Sequence, residues 1–244
     1  MRPALMEKPT PPGGTRATTD RRTLRTRRAL RDALAAEIKE TGDLSQVTVT
    51  AVTDRAGVTR RTFYSHFRDI ADLVNQIEED TIRDLKGLVG NITVVNLDVL
   101  QEALDDFAPC PGSKELLAYF KRHGDYLSAL LGEGGDPAFV GRIERMVRDV
   151  VATRAAEGLN LDLLGPIFDY YLTFAIGAEV SVLVRWLTSG MHESVSMMAR
   201  IMTSLMFVRP GDLYGRTMHF DIPSIALGLL APATHATKGE STDD

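Results

Sequence analysis

The sequence predicts an all-α protein in which a small N-terminal three-helix domain is joined to a larger helical domain. Apolar residues recur three and four positions apart in most segments, as on one face of a helix, and no convincing strand alternation interrupts them. Residues 1–68 contain 14 Lys/Arg and 7 Asp/Glu, a net charge of +7, whereas residues 69–244 contain 14 and 26, a net charge of −12. A basic head on an acidic body favours attraction of a polyanion to the N-terminal domain, although a solvated charged face would give the same count.

The first domain is predicted from an arginine-rich helix and two short helices. Residues 1–19 are rich in Pro, Thr and Gly and are expected to form a disordered tail. Residues 20–41 follow with one apolar face, which Leu30, Leu34 and Ile38 define. Six arginines occupy its other positions: Arg21, Arg22, Arg25, Arg27, Arg28 and Arg31. They are expected either to contact DNA as a basic arm or to form a solvated helix surface.

Threonines and glycines mark the ends of the next helices. Thr48 or Thr50 can cap a helix that ends at Gly57, and Thr59 can cap one that runs to about residue 66. A fourth helix is predicted from Asp69 to about residue 86, where Gly87, Gly90 and Asn91 should end it. Residues 20–86 are therefore assigned to the first domain and its connecting helix.

The acidic remainder is predicted to be helical from residue 87 to residue 208. Its candidate helices are 97–107, 114–121, 125–131, 137–157, about 163–188, and 194–207. Ser113, and Asp136 followed by a proline, are typical of helix starts. Residues 209–244 are assigned to a C-terminal extension with one possible short helix, Ile222–Leu230, and a disordered end.

Composition excludes several classes of protein. One cysteine, Cys110, excludes an intramolecular disulfide and any multi-cysteine metal site, and fits a reducing cytoplasm. The apolar stretch Ile167–Leu187 contains Asp169, Glu179 and Arg185, which are costly at a bilayer centre, so we expect protein and not lipid around it. The first residues carry no apolar leader, so neither a signal peptide nor a membrane partner is expected.

The segment from Val47 to Phe67 carries the functional prediction. Val52 faces the core, Gly57 permits a tight left-handed turn, and Phe63 and Phe67 anchor the second helix. The outward positions of that helix are rich in hydrogen-bond donors and poor in carboxylates: Thr59, Arg60, Arg61, Thr62, Tyr64 and His66. Such a helix suits the major groove of double-stranded DNA, where arginine can bond two acceptors on guanine and hydroxyl groups can bond phosphates.

The same residues resemble the TetR family of bacterial transcription regulators. The resemblance rests on a threonine-led helix, the sequence Ala56-Gly57-Val58-Thr59, the residues Thr62-Phe63-Tyr64 and His66-Phe67, and Leu73, and it covers residues 24–74. It implies a helix-turn-helix domain with a recognition helix at residues 59–66. By this resemblance the DNA-binding residues are Thr26, Arg27, Thr48, Thr50, Thr59, Arg60, Arg61, Thr62, Tyr64, His66 and Arg68. Ile70 stands where the family commonly has a phosphate-binding lysine. Either Arg68 binds that phosphate in place of the lysine, or the contact is absent.

A second, shorter resemblance lies in the acidic body. The segment Arg185–Ser194 is similar to the C-terminal domains of a TetR subgroup that includes regulators of dihydroxyacetone kinase operons. The proline and acidic residues usual after the serine are replaced by Val195 and Ser196, so neither the subgroup's effector nor its role is carried over.

The family resemblance implies a homodimer and a small-molecule effector pocket among the middle helices. Apolar stripes on the last two helices are the candidate dimer interface, the alternative being monomer core: Phe174, Ala178, Val182, Met198, Ile201, Met202 and Leu205. Aromatic and methionine residues are candidate pocket lining, although such residues also form ordinary core: Tyr119, Phe120, His123, Tyr126, Phe139, Met146, Phe168 and Tyr171. The expected mechanism is repression of a palindromic operator, with release when the effector binds.

Three other functions remain open from the sequence: an enzyme, a helical interaction module and an activator. An enzyme is disfavoured because no serine elbow, glycine-rich phosphate loop or metal-binding histidine spacing occurs, and no cofactor or metal is expected. A helical interaction module that no longer binds DNA, or an activator, is the alternative to a repressor. The operator, the regulated genes and the effector are not encoded in any recognisable pattern.

Overall fold

The computed structural model describes residues 14–92, 97–157 and 166–206. These residues form ten α-helices and one 3-10 helix, Leu44–Gln46, and they include no strand, so the all-α prediction is confirmed. The α-helices are α1 (Gly14–Thr41), α2 (Val49–Ala56), α3 (Arg60–Tyr64), α4 (Ile70–Ile92), α5 (Leu97–Asp105), α6 (Ser113–Arg122), α7 (Gly124–Leu131), α8 (Pro137–Ala155), α9 (Pro166–Thr188) and α10 (Val195–Leu205).

The helices α1 to α3 and the start of α4 enclose the core of the N-terminal domain. Leu30 and Leu34 of α1, Val52 of α2, Phe63 of α3 and Leu73 of α4 have at most 1% of their surface exposed. Burying side chains of this size stabilises a fold by about 1.5–3 kcal/mol each before the conformational entropy is subtracted. This core holds the two short helices, which are too short to be stable alone.

Helix α1 begins earlier than the sequence pattern predicts. Its first residue is Gly14, so the segment from 14 to 19, which was expected to belong to a disordered tail, is helical. Residues 1–13 lie outside the described part of the chain. The Thr- and Ala-containing segment before Asp20 carries no proline, and nothing local prevents the helix from extending through it.

Helix α4 passes through the glycines that were predicted to end it, so that prediction is wrong. The helix continues to Ile92, with Gly87 and Gly90 in its interior. Each glycine costs about 1 kcal/mol relative to alanine, but Leu85 and Val89 on either side of Gly87 are buried in the body. Packing of this apolar face outweighs the local propensity, and the assigned domain boundary at residues 86 and 87 falls inside a continuous helix.

The body is assembled around α4 and α8. Helix α8 packs against α4 and α9, α6 packs against α10, and α7 packs against α1 and α9. Asp136 caps α8 as predicted, accepting from the Ala138 amide at 2.8 Å. Ser113 does not cap α6; it is the first helical residue, and its hydroxyl donates to the Cys110 carbonyl at 2.5 Å. The predicted helix 222–230 and the residues 163–165 lie outside the described residues.

A buried ion pair joins the connecting helix to the body. The Glu78 carboxylate on α4 pairs with the Arg142 guanidinium on α8; the side chain of Glu78 is fully buried, and 29% of the Arg142 side chain is exposed. Arg142 also lies over the Phe139 ring, 5.8 Å from its centroid. A carboxylate fully removed from water needs such a partner, so this contact fixes α4 against α8.

A glycine contact joins the body directly to the N-terminal domain. The carbonyl of Gly134, in the loop between α7 and α8, accepts from the Leu44 amide at 2.7 Å. Gly134 has a φ of +83°, and a Cβ atom placed on it would lie 2.0 Å from the Gly42 carbonyl oxygen. Only glycine permits both this backbone conformation and this approach.

Candidate nucleic-acid interface

Side-chain caps and one glycine set the geometry of the α2–α3 unit. The hydroxyl of Thr48 accepts from the Ala51 amide at 3.2 Å, and the hydroxyl of Thr59 accepts from the Thr62 amide at 3.1 Å. Between the two helices Gly57 adopts φ 65° and ψ 33°, the left-handed conformation. The unit is therefore a helix, a tight turn and a second helix, as its sequence predicts.

The outer face of α3 presents donors to solvent. Arg60, Arg61 and Tyr64 are exposed, and 58% of Tyr64 is accessible although the neighbouring Phe63 is fully buried. The Arg60 guanidinium donates to the Thr50 hydroxyl at 2.6 Å, which holds the arginine at the junction of α2 and α3. A protruding ring beside two arginines is typical of a surface that contacts the DNA backbone and base edges.

The remaining predicted DNA-binding residues differ in their exposure and in the partners of their side chains. Arg27 donates to the Gln76 side chain at 2.9 Å and lies over the Phe67 ring, so α4 positions it. Thr26 and His66 are half-buried. The Thr62 hydroxyl is shared with that of the capping Thr59 at 2.9 Å.

The start of α4 contains the departure from the family pattern. Ile70 is half-buried and packs against the core, so this position offers no donor to a phosphate. The exposed Arg68 side chain lies 3.4 Å from the Asp72 carboxylate, whose pKa is held below its usual value, first by the backbone hydrogen bond from Arg68. Arg68, two residues before the place of the missing lysine, is thus a cation available there, but Asp72 partly neutralises it.

The arginines of α1 divide between two surroundings. Arg21, Arg22 and Arg25 are exposed. Arg31 instead points to the body, with its guanidinium 4.2 Å from the centroid of the Tyr126 ring. The first group adds positive charge to the exposed surface of the N-terminal domain, and Arg31 belongs to the contact between domains.

A second candidate site is a cavity of about 350 Å³ inside the body. Its walls come from α4, α5, α6, α8, α9 and α10, and from the segment before α6. Three α4 residues, Leu85, Val89 and Ile92, form part of the wall, so the helix that contacts Arg27 at one end contacts the cavity at the other. Most of the described lining is apolar; Glu179 of α9 is its one charged side chain, and burial raises its pKa to about 7.

Three of the eight predicted pocket residues, Phe120, Met146 and Tyr171, lie on this wall. Phe139 is fully buried in the hydrophobic core, and the partly buried Phe168 packs against that core. The other three form a separate cluster below α1: the centroids of the Tyr119 and His123 rings are 4.5 Å apart, those of His123 and Tyr126 are 5.5 Å apart, and Tyr119 donates to Asp84 at 3.2 Å. Burial, and then the nearby Arg31, lowers the pKa of His123.

The last two helices leave an apolar surface uncovered in the single chain. Tyr170 and Phe174 of α9 are 76% and 75% exposed, and Leu205 of α10 is 45% exposed. Among the predicted interface residues, Ala178 is also exposed, Val182 and Ile201 are half-buried, Met198 is buried, and Met202 lies on the cavity wall. Among the described residues, α9 is long and apolar enough to cross a membrane, but the core helix of a soluble protein can have the same length and composition.

Two features of the cavity are not predicted from the sequence: the contribution of α4 to the wall, and the position of Glu179 in that wall. A signal for Glu179 existed, because a carboxylate between apolar turns of a helix is costly unless it faces a polar partner or a site. The α4 contribution had no such signal, since the glycines at positions 87 and 90 obscured the continuity of the apolar face.

Comparison with known proteins identifies both parts of the chain. Residues 32–77 match the family described as "Bacterial regulatory proteins, tetR family", and residues 109–207 match "Transcriptional regulator C-terminal region", a TetR C-terminal family. A solved TetR transcriptional regulator from Streptococcus agalactiae 2603V aligns with a TM-score of 0.48 and 22% identity over 78% of this chain and 98% of that chain. No curated protein matches.

The two matched ranges together span more than half of the chain, and both belong to a family of non-enzymatic regulators. The chain belongs to the TetR family of DNA-binding transcriptional regulators.

Proposed function

We propose that the protein is a repressor that binds a palindromic operator as a homodimer and leaves it when a small molecule fills the body cavity. The observation that carries the proposal is the outer face of α3, where Arg60, Arg61 and Tyr64 are exposed on a rigid capped unit. A protein with this activity acts in the cytoplasm, where the chromosome is. The resemblance of residues 185–194 to the subgroup with dihydroxyacetone kinase regulators does not identify an effector.

The side chains of α3 supply both parts of DNA recognition. Arg60, held by Thr50, is preorganised to reach acceptors on a base edge, which loses less entropy than a free arginine would. Arg61 and Tyr64 extend from the same face toward the phosphates on either side of the groove. Arg27 and Arg68 are exposed and could add phosphate contacts, although Arg27 is held by Gln76 and Arg68 is paired with Asp72.

The uncovered apolar face of α9 and α10 supports a homodimer. Tyr170 and Phe174, one turn apart on α9, form an exposed aromatic surface on a monomer, and Leu205 is an exposed leucine on α10; exposed hydrophobic surfaces mark interaction sites. A two-fold partner would bury the same face of each chain and would set two α3 helices for two half-sites.

Helix α4 supports control by a ligand. The helix rises about 26 Å from Asp72, which contacts Arg68 near the DNA-binding surface, to the cavity residue Val89. A ligand that prefers a different position of the cavity end would shift the N-terminal domains and their spacing.

Operator selection tests the proposal. Fragments of the source genome are captured on the full-length protein at about 150 mM salt, a concentration at which nonspecific affinity is weak. Enrichment of palindromic sites, lost in Arg60→Ala/Tyr64→Ala and retained in Arg145→Ala, an exposed α8 arginine, is the expected result. Equal, unselective recovery with all three proteins would refute sequence-specific recognition by α3 and favour the interaction module.

The oligomeric state is tested separately by sedimentation. The wild type is expected to sediment as a dimer at micromolar concentration, and Phe174→Asp is expected to shift it toward monomer, since a charge would face the partner's apolar surface. Arg154→Asp on α8 serves as the control for added negative charge. A monomeric wild type would contradict the homodimer.

A further inference from the structure

The wall of the body cavity is mostly apolar, and two of its hydroxyl groups, those of Ser113 and Thr203, already have partners within the protein. Ser113 donates its hydroxyl to the Cys110 carbonyl at 2.5 Å. Thr203 donates to the Ala199 carbonyl at 2.8 Å and accepts from the Cys110 amide at 2.8 Å. These hydroxyls satisfy the backbone of their own helices and turns, so a ligand finds little hydrogen-bonding capacity there.

Glu179 differs from these groups because its carboxyl has no hydrogen bond or ion pair with any described residue. It projects from the middle of α9 among the buried Ile176, Val180 and Leu183, and no Lys, Arg or His is among the described lining residues. Burial raises its pKa to about 7, so the carboxyl is held in surroundings that stabilise its charge poorly. A group in this state is destabilising unless something else pairs with it.

Among the described residues, no cation lies beside Glu179 to serve as its partner. An ammonium group beside Glu179 would form a charge-assisted hydrogen bond or an ion pair in a medium of low dielectric constant, where such interactions are strong. An anion, by contrast, would meet a carboxylate and no compensating positive charge. The whole cavity, at about 350 Å³, accepts a ligand of roughly a dozen non-hydrogen atoms at about 30 Å³ for each water-sized group.

We propose that the body cavity binds an amphipathic cation, with its ammonium group against Glu179 and its apolar part among the side chains of α4, α6, α8 and α9. The inference rests on the proposed function only in taking this cavity as the effector site. It names the chemical class of that effector as a lipophilic amine or quaternary ammonium compound, and it sets anionic lipids and acyl carboxylates aside.

Calorimetric titration of the full-length protein without DNA tests the inference. The probes are decyltrimethylammonium, decan-1-ol and decanoate, which share one apolar chain and differ in charge. At pH 8 the wild type is expected to bind the cation at least about 10-fold more tightly than the alcohol, the ratio that an ion pair worth about 1.4 kcal/mol would give, and to bind decanoate most weakly. Equal affinities for the three probes, or preference for decanoate, would overturn the proposal.

The variant Glu179→Gln is expected to lose the preference for the cation while keeping its affinity for the alcohol. Glu193→Gln, which removes an exposed carboxylate outside the cavity, is the control for general attraction of cations to an acidic protein. Glu179→Asp keeps the charge and is expected to retain part of the preference, which distinguishes lost charge from a damaged fold. An unchanged cation preference in Glu179→Gln would place the cation elsewhere and refute the assignment.

Operator affinity is measured as a second, independent readout. Binding of the cation with loss of operator affinity supports both proposals. Binding of the cation without any effect on operator affinity supports the ligand class and refutes release from the operator. Operator recognition by a protein whose cavity prefers another probe supports the DNA-binding function and refutes the ligand class.

Discussion

Replacing Arg142 by methionine is expected to destabilise the protein strongly, because it removes the partner of a carboxylate that has no access to water. The Glu78 side chain is fully buried, and it pairs with Arg142, whose side chain is 29% exposed. Methionine keeps much of the length and the apolar stem of arginine, so packing over Phe139 changes little. The perturbation is therefore mainly the loss of a positive charge.

The magnitude follows from the burial of the pair. Removing one partner of a buried ion pair costs about 3–5 kcal/mol. The partial exposure of Arg142 lets some water approach the vacated position, so the lower end, about 3 kcal/mol, is expected. For a chain of this size that corresponds to a fall in Tm of about 6–12 °C.

Urea unfolding followed by far-ultraviolet circular dichroism measures the change at one fixed protein concentration, since association contributes to the apparent stability. The variant Glu78→Met/Arg142→Met is the key comparison. It removes both charges, and its stability is expected to recover most of the loss, because two apolar side chains of similar volume can replace a buried pair at little cost.

The reasoning would be refuted if Arg142→Met cost less than about 1 kcal/mol, the value typical of an exposed pair. It would also fail if the double variant were no more stable than the single one. Either result would mean that the carboxylate of Glu78 is not held by Arg142 alone.

Three further predictions concern the domain contact, a cap and the cavity. Gly134→Ala is expected to destabilise the protein by about 3 kcal/mol or more, since φ is +83° and the new Cβ would lie 2.0 Å from a backbone oxygen. Gly87→Ala, which has open space around it, is expected to stabilise the protein by about 0.5–1 kcal/mol. Equal effects of the two substitutions in urea unfolding would contradict the role assigned to Gly134. Thr59→Ala is expected to cost about 1 kcal/mol and to weaken operator binding, and an unchanged urea midpoint would argue against the cap. The pKa of Glu179 rises from 4.5 to about 7 on folding, so its contribution to stability is fully present below pH 4.5 and is lost as the pH rises through 7. The free energy of unfolding of Glu179→Gln should therefore exceed that of the wild type by about 2 kcal/mol at pH 8 and by much less at pH 5. A difference in stability that does not vary with pH would refute the assignment.

The cavity wall carries two other titratable side chains, Cys110 and Tyr171, which bear on the last of these experiments. Burial raises the pKa of the Cys110 thiol, so it stays protonated between pH 5 and pH 8. The pKa of His123 is also lowered by burial, but His123 is present in both the wild type and Glu179→Gln, so its contribution cancels when the two are compared. The pH dependence of the difference between the wild type and Glu179→Gln is therefore expected to come from Glu179, and Cys110→Ser provides the control.

The sequence predicts local structure well where one residue type performs one local task. Thr48 and Thr59 cap helices because their hydroxyls reach an amide three residues on, and Gly57 takes a conformation that other residues resist. These features depend on neighbours in the chain, so the α2–α3 unit and its exposed arginines could be anticipated from the sequence.

Features that depend on distant segments could not be anticipated. Helix α4 continues past Gly87 because the body buries Leu85 and Val89, a tertiary effect that outweighs helix propensity. Tyr126 has the spacing and character of a pocket residue, but it packs against Arg31 of α1, because α7 lies against that helix. Tyr119 lies on α6 beside the cavity residues Leu117 and Phe120, but its hydroxyl donates to Asp84 of α4 outside the cavity wall. Helical periodicity identifies a buried face without identifying its neighbour.

The contact between Gly134 and Leu44 limits how modular the protein can be. DNA-binding heads are attractive units for exchange between regulators, yet here the body supplies a hydrogen-bond acceptor to the head, and Tyr126 of the body covers Arg31 of α1. A chimera that joins this head to another body at residue 86 or 87 would leave the Leu44 amide and the Tyr126-facing surface without their partners. A transferable unit must therefore include the loop at residues 132–136 and helix α7, although both lie far outside the head in the sequence.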